Sequence, residues 1–321
     1  MRTLFLLIWL FLSPGDSLSI LCWNVENFFD WRNDSTTVSD GEFSAGGERR
    51  WSWKRFQAKA NAFAKALLWV EQETGRPPDI IGLEEVENAF VLRQLLQKTA
   101  LRKLDYKYVH FDSPDRRGID VALLYRSSRL ELLDSKPCHL YARDTVMTTR
   151  DILLCVFQRD STVFAVLVNH HPSKYGGVAE SEPRRRIAVE RLRFLADSLA
   201  ALGIDRIVAG GDFNDTPDNP VFRLLEPALL PKHLGLQRRG LGTIKYDGKW
   251  DLIDHFYVSP ALAPYSGMRI LRIPFLLARD TAHSGEKPLR TYTGPRHVGG
   301  VSDHLPILLE VGLSIENNLY L

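Results

Sequence analysis

Apolar and polar positions alternate in blocks along most of the chain. Residues 19–28 form a nearly continuous apolar stretch, which predicts a buried strand, and residues 31–47 form a polar loop rich in Asp, Ser, Thr and Gly. Phe56, Ala60, Phe63, Leu67 and Val70 recur at helical spacing. They predict an amphipathic helix over 53–74, which Pro77-Pro78 closes. A short strand over 79–83 and a helix over 89–101 follow. Strands are then expected at 106–111, 121–125, 130–133, 152–157 and 163–168. Residues 183–202 predict a long Arg-rich helix, 206–209 a strand running into Gly210-Gly211, and 219–225 a short helix. The last strands fall at 252–258, 268–273 and 307–311. Consecutive strands in the middle of a mixed order do not suit simple βαβ alternation. They predict two packed β-sheets flanked by helices, a four-layer α/β/β/α sandwich of the α/β class. With no repeat or long linker, residues 18–321 are expected to form one domain.

The N-terminus reads differently. Arg2 precedes an apolar run over 4–12, followed by Ser13-Pro14-Gly15-Asp16-Ser17. This is the pattern of a secretory signal peptide over 1–17, cleaved before Leu18. The run is too short to span a bilayer, which needs about 20 residues. An exported protein, periplasmic or secreted, without a stable membrane anchor is therefore expected.

Composition narrows the class only a little. The chain has 321 residues, 45% hydrophobic and 25% charged, which excludes disordered and fibrous proteins. A net charge of +2 does not suit bulk electrostatic binding to nucleic acid, so any such contact must come from a local basic surface. Cys22, Cys138 and Cys155 show no zinc spacing and read as buried thiols, with a Cys138–Cys155 pair as the alternative.

The chemistry lies where apolar runs end. Six such junctions carry acids, amides or histidines: Asn24-Val25-Glu26-Asn27, Glu84-Glu85-Val86, Asn169-His170-His171-Pro172, Gly211-Asp212-Phe213-Asn214, Asp254-His255 and Ser302-Asp303-His304. Carboxylates and an amide without cysteine suit a hard divalent cation, Mg²⁺ with Mn²⁺ or Ca²⁺ as alternatives, better than zinc. Histidines beside carboxylates supply a general base and a stabiliser of charge.

Four of these segments, in order, resemble those of the DNase-I-like endonuclease/exonuclease/phosphatase superfamily. They are Cys22-Trp23-Asn24-Val25, Asp79-Ile80-Ile81-Gly82-Leu83-Glu84-Glu85-Val86, Gly211-Asp212-Phe213-Asn214 and Ser302-Asp303-His304-Leu305-Pro306-Ile307. The resemblance implies the four-layer fold, a divalent cation and hydrolysis of a phosphate ester. It implies Glu85, Asn24 and Asp303 as metal-shell residues, and His304 as general base oriented by Asp254. Asp212, Asn214 and His170 would be catalytic residues at the scissile phosphate, with His171 competing for the place of His170. Arg150, in Thr149-Arg150-Asp151, resembles a phosphate-binding arginine. Asp120 resembles a supporting acid that would hold His170 in its tautomer, and Glu26 could support the metal shell.

The signal sequence and the segment from Asn169 to Lys174 resemble an exported bacterial-type group of that superfamily. The expected function is that of a monomeric, low-specificity nuclease acting on DNA or RNA. A phosphatase or phosphodiesterase of a small ester, such as an inositol phosphate, a phospholipid headgroup or a nucleotide, is the alternative. A binding protein on an inactive fold is the third reading, and the occupied key positions count against it. Arg184, Arg185, Arg186, Arg191 and Arg193 read as the solvated face of a helix, and Trp51 and Trp53 as packing residues.

Overall fold

The computed structural model describes residues 17–33, 39–174 and 176–313, so the apolar run at 4–12 lies outside the described residues. Two six-stranded mixed sheets form the centre of the molecule. The first contains β1 (Ser17–Phe28), β2 (Ile80–Val86), β3 (Tyr106–His110), β4 (Asp120–Arg126), β11 (Ser266–Ile270) and β12 (Ile307–Gly312). Its strand order is β11-β12-β1-β2-β4-β3. The second contains β5 (Glu131–Cys138), β6 (Ile152–Arg159), β7 (Thr162–His170), β8 (Ile207–Asp212), β9 (Leu230–Pro231) and β10 (Asp254–Val258). Its order is β9-β10-β8-β7-β6-β5. In each sheet the central pair, β1 with β2 and β7 with β8, is parallel.

The two-residue period of a strand distributes its side chains between layers. On β1, Leu18, Ile20 and Cys22 enter the core between the sheets, while Leu21, Trp23 and Val25 face the helices. Helices α1 (Trp53–Thr74) and α2 (Ala89–Lys98) cover that outer face, with the Trp23 ring stacked 5.3 Å from Phe63. Helix α3 (Val178–Ala201) covers the second sheet through Ala188, Val189, Leu192 and Leu199. Each fully buried large apolar side chain contributes about 1.5–3 kcal/mol relative to exposure. These are the four expected layers.

Glycines let the sheets close beneath the site. A Cβ on Gly82 would come within 2.9 Å of the Cys22 sulfur, and one on Gly210 within 2.3 Å of the Phe256 ring. Gly211 adopts φ +129°, and a Cβ there would meet the Asn169 carbonyl oxygen at 2.1 Å. Larger residues would push the strands apart at the point where the polar groups emerge.

Some local expectations change and others hold. Helix α3 begins at Val178, five residues earlier than predicted, with Pro183 inside it. Proline in the second turn forfeits a hydrogen bond but leaves the rest of the helix intact. Arg185 is not on a solvated face: it is 1% exposed and its Nε donates to Asp215 at 3.0 Å. Trp51 is buried and donates to the Phe29 carbonyl, whereas Trp53 is 51% exposed. The three cysteines are buried free thiols, with Cys138 opposite Ile152 and Cys155 opposite Ser135 on paired strands. Among the described residues, no helix is long and apolar enough to cross a membrane.

Candidate active site

Strand ends from both sheets meet at one edge. Asn24 and Glu84 are paired neighbours on the parallel strands β1 and β2. In the other sheet Asp212 lies between His170 on β7 and Asp254 on β10. The turn carrying Ser302, Asp303 and His304 completes the group. It is docked by two hydrogen bonds, Trp23 Nε1 to the His304 carbonyl and Ser302 Oγ to the Asn24 carbonyl, and held in shape by a third, the His304 amide to Ser302 Oγ.

The chain leaves its regular conformation where it presents these groups. Glu85 has φ +66° beside a break in the β2–β4 register. Glu26, Asn27 and Asn214 also have positive φ, between 47° and 52°. Such conformations carry a cost of order 1–3 kcal/mol for residues other than glycine and gather at functional sites. At Asn214 the turn is secured by its amide donating to Asp212 Oδ1 and its Nδ2 donating to the His171 carbonyl, at 2.8 and 3.0 Å.

His304 Nδ1 lies 2.9 Å from Asp254 Oδ2, which leaves Nε2 facing the site, 3.9 Å from Asp212 Oδ2 and 4.0 Å from Asp303 Oδ1. Burial works against a charged imidazole, but Asp254, Asp212 and Asp303 together hold its pKa well above the usual histidine value. Asp212 is pushed up to about 7 by burial, opposed by His304. Its Oδ2 accepts from Asn24 Nδ2 at 3.0 Å and lies 3.6 Å from His170 Nε2. His170 is kept neutral by burial and by Arg150 and Arg117. His171 instead packs 4.6 Å from the Phe213 ring in a separate aromatic cluster, so His170 is the histidine that faces Asp212.

Glu85 accepts from the Asn27 amide at 2.7 Å and lies 3.5 Å from the Arg117 guanidinium. Burial would raise its pKa, but Arg117, the Asn27 amide, His304 and Arg150 bring it below the ordinary value. It remains ionised. Arg290 stands between Glu26 and Asp303, with contacts of 3.2 and 2.8 Å. That a guanidinium is drawn between these acids shows that the position favours positive charge. With Glu85 ionised and Asn24 paired across the strands with the residue before it, the donors fit a hard divalent cation. A second group, Asp212, Asp254 and His304, brings ligating atoms within 4.8 Å of one another.

Glu84 turns into the gap between the sheets. It is fully buried, and neither carboxylate oxygen has a hydrogen-bond partner. Burial, with Asp254 and Asp212 nearby, holds its pKa well above the carboxylate range. It is a neutral acid below the site.

Two predicted residues sit differently from expectation. Asp120 does not steady His170: its carboxylate is taken by His110 Nε2 at 3.1 Å and by Ser113, because strand β4 places it beside β3. His170 Nδ1 has no hydrogen-bond partner. Arg150 is buried and donates to Asp115 at 3.1 Å and to the His171 carbonyl at 2.7 Å, so it braces the His170 segment.

Sequence reasoning passed over Arg117 and Lys59. Lys59, a buried lysine on α1, donates to the Glu26 carbonyl and to Thr291 Oγ1, tying the loop after β11 to the end of β1. Its place among the apolar residues of a helical face was the available signal. Beside Glu26 opens a cleft of about 400 Å³ lined by Asn27, Arg49, Arg290 and Tyr292.

A family model described as the endonuclease/exonuclease/phosphatase family matches residues 19–312. The chain belongs to that family. Among curated relatives, Protein angel of Drosophila melanogaster is 26% identical over 240 residues, which are 68% of this chain and 62% of that protein. The chain thus spans under two thirds of that relative's length. Two solved structures share the fold. One is D. rerio TDP2 complexed with a single-strand DNA product, with TM-score 0.57 and 16% identity over 92% of this chain and 98% of that one. The other is a Bacteroides thetaiotaomicron mannosyl-6-phosphatase, with TM-score 0.57 and 15% identity over 92% and 99%. At these identities the likeness establishes the architecture alone.

Proposed function

We propose that the protein is a divalent-cation-dependent phosphodiesterase acting on nucleic acid with low sequence specificity. The observation that carries the reading is the convergence of the His304–Asp254 pair, Asp212, Asn214 and His170 on one edge with Glu85, Asn24 and Asp303. In its neutral form, which a cation bound beside it would favour, His304 oriented by Asp254 takes a proton from water on its Nε2 side, and Asp212 beside it holds that water. Asn214 and neutral His170 hold the phosphate and favour departure of the leaving oxygen. Arg150 keeps the His170 segment in place, and Arg117 and Arg290 supply positive charge at the rim. Glu85, Asn24 and Asp303 would hold the cation, Mg²⁺ in this reading, which would neutralise charge growing on the phosphate oxygens.

The DNA product named with the zebrafish neighbour supports a nucleic-acid substrate. The compact cleft beside Glu26, with the sugar-phosphatase neighbour, favours the second reading, a small phosphate ester. Export after cleavage before Leu18 belongs to the same proposal and rests on the N-terminal pattern. N-terminal sequencing of the protein recovered outside the cytoplasm tests it.

Supercoiled plasmid incubated with the protein in Mg²⁺ or Mn²⁺, with EDTA and His304→Ala controls, tests the reaction. Nicking that requires both cation and His304 is expected. An intact plasmid would exclude DNA, and RNA, nucleotides, inositol phosphates and sugar phosphates would then be assayed with the same controls.

A further inference from the structure

A two-stranded ribbon, Ile244–Tyr246 with Lys249–Asp251, stands beside the site, and the reaction above does not use it. Ile244 pairs directly with His304 in an antiparallel bridge, and the Leu305 amide donates to the Thr243 carbonyl at 2.8 Å. Within the ribbon Ile244 faces Asp251, Lys245 faces Trp250 and Tyr246 faces Lys249. Residues directly opposite one another project to the same face, and alternate residues return to it. Tyr246 and Lys249 therefore share a face with His304, while Lys245 and Trp250 occupy the other.

That other face is fastened. Lys245 Nζ lies 3.0 Å from Asp280 and donates to the Ser284 carbonyl at 2.7 Å, and the Arg272 guanidinium lies 4.8 Å from the Trp250 ring. The tip is a tight turn with φ +45° at Asp247 and +78° at Gly248, the two-residue Asp-Gly form of a hairpin. A Cβ on Gly248 would lie 2.8 Å from the His283 ring, so the tip is seated against the next loop. On this braced ribbon Tyr246 is 79% exposed, more than any other aromatic residue among those described. A single exposed aromatic is ordinary on a protein surface. Here it is held on the face of His304, two residues and about 7 Å of strand beyond its bridge partner, with a lysine opposite.

We infer that Tyr246 is a specificity-determining residue: its ring stacks on a nucleobase beside the scissile phosphate of single-stranded nucleic acid, and Lys249 meets the adjoining backbone phosphate. Aromatic stacking tolerates any base, which agrees with low sequence specificity. This inference rests on the nucleic-acid reading given above and adds the form of the substrate and how it is gripped.

The test compares a single-stranded oligonucleotide with one of equal length whose bases are replaced by abasic sugars. The full chain, Tyr246→Ala, Tyr246→Phe and Lys249→Ala are assayed in Mg²⁺. The wild type is expected to favour the base-bearing strand. Tyr246→Ala should lower kcat/KM on that strand by about tenfold, mainly through KM, and leave the abasic strand unchanged. Tyr246→Phe should retain the preference, and Lys249→Ala should weaken both strands and reduce the salt dependence. Equal rates for wild type and Tyr246→Ala, an equal loss on both strands, or no preference in the wild type would overturn the stacking while leaving a nuclease. Failure of the wild type to cut either strand would remove the nucleic-acid reading, and the stacking with it.

Discussion

His304 Nδ1 lies 2.9 Å from Asp254 Oδ2, and the two residues belong to different sheets: Asp254 opens β10 of the second sheet, and His304 lies in the turn leading into β12 of the first. The bond sets which ring nitrogen faces the reacting atoms. His304→Ala should lower kcat by about 10²–10⁴-fold, the usual contribution of general-base catalysis. Asp254→Asn should also be slow, because an amide neither fixes the same tautomer nor stabilises the charged ring. Steady-state kinetics with circular dichroism separates loss of chemistry from loss of fold.

Glu85 is ionised and faces Arg117 across 3.5 Å. In Glu85→Gln the cation loses a charged oxygen donor. Activity should fall about 100-fold at fixed Mg²⁺ and recover partly at higher Mg²⁺. Calorimetric titration of Mn²⁺ into the EDTA-stripped protein should show weaker binding. Unchanged affinity would remove Glu85 from the metal shell.

Glu84 holds a proton in the folded protein well above the ordinary glutamate value of 4.5. Once the pH exceeds that value the unfolded chain releases this proton and the folded one keeps it, so stability falls as pH rises. Glu84→Gln, similar in shape but without the titration, should gain stability over the wild type from pH 5 to pH 8, by at most about 1.4 kcal/mol per unit. Urea unfolding in the presence of chelator at both pH values reads the difference. A constant offset would contradict a proton held on Glu84.

Three buried imidazoles produce the opposite trend. His233 stacks 4.2 Å from His255, which stacks 5.1 Å from Phe213, and Phe213 meets His171 at 4.6 Å. Burial lowers His171 to about 3 and His233 to about 4, and holds His255 well below 6.5. The unfolded chain takes up these protons as pH drops below about 6.5, so stability declines from there toward 4. His255→Phe removes one such group and keeps the ring, and should move the acid-unfolding midpoint to lower pH. Between about 4.5 and 6.5 this trend opposes that of Glu84, so single variants are needed to separate them.

Much of the architecture was legible because strand and helix periods assign side chains to layers before any contact is known. The Phe56-to-Val70 stripe lies on the buried face of α1, and the continuous apolar run of β1 is buried on both sides. The site groups were legible as polar residues closing apolar runs. Pairings across sheets were not. Nothing in the spacing of Asp120 distinguishes His110 from His170 as its partner, since the choice depends on which strand lies beside β4. Arg117 was hidden for a similar reason: it reaches Glu85 from a loop whose path follows from tertiary packing. Arg185 was read as solvated because it stands in a run of arginines on a helix, yet Asp215 draws it inward.

Asn24 donates to Asp212 and His304 meets Asp254, so the reacting edge is stitched across the seam between two independently hydrogen-bonded sheets. Their spacing is set below by Cys22, Gly82, Gly210 and Phe256. A shift of an ångström in that stack would leave every reacting side chain present but out of alignment, and misplacement on that scale can cost about 10²-fold in rate. Residues far from any phosphate would thus act as the enzyme's focusing screws. A survey of conservative substitutions in this inner layer would find turnover drifting before the melting temperature does.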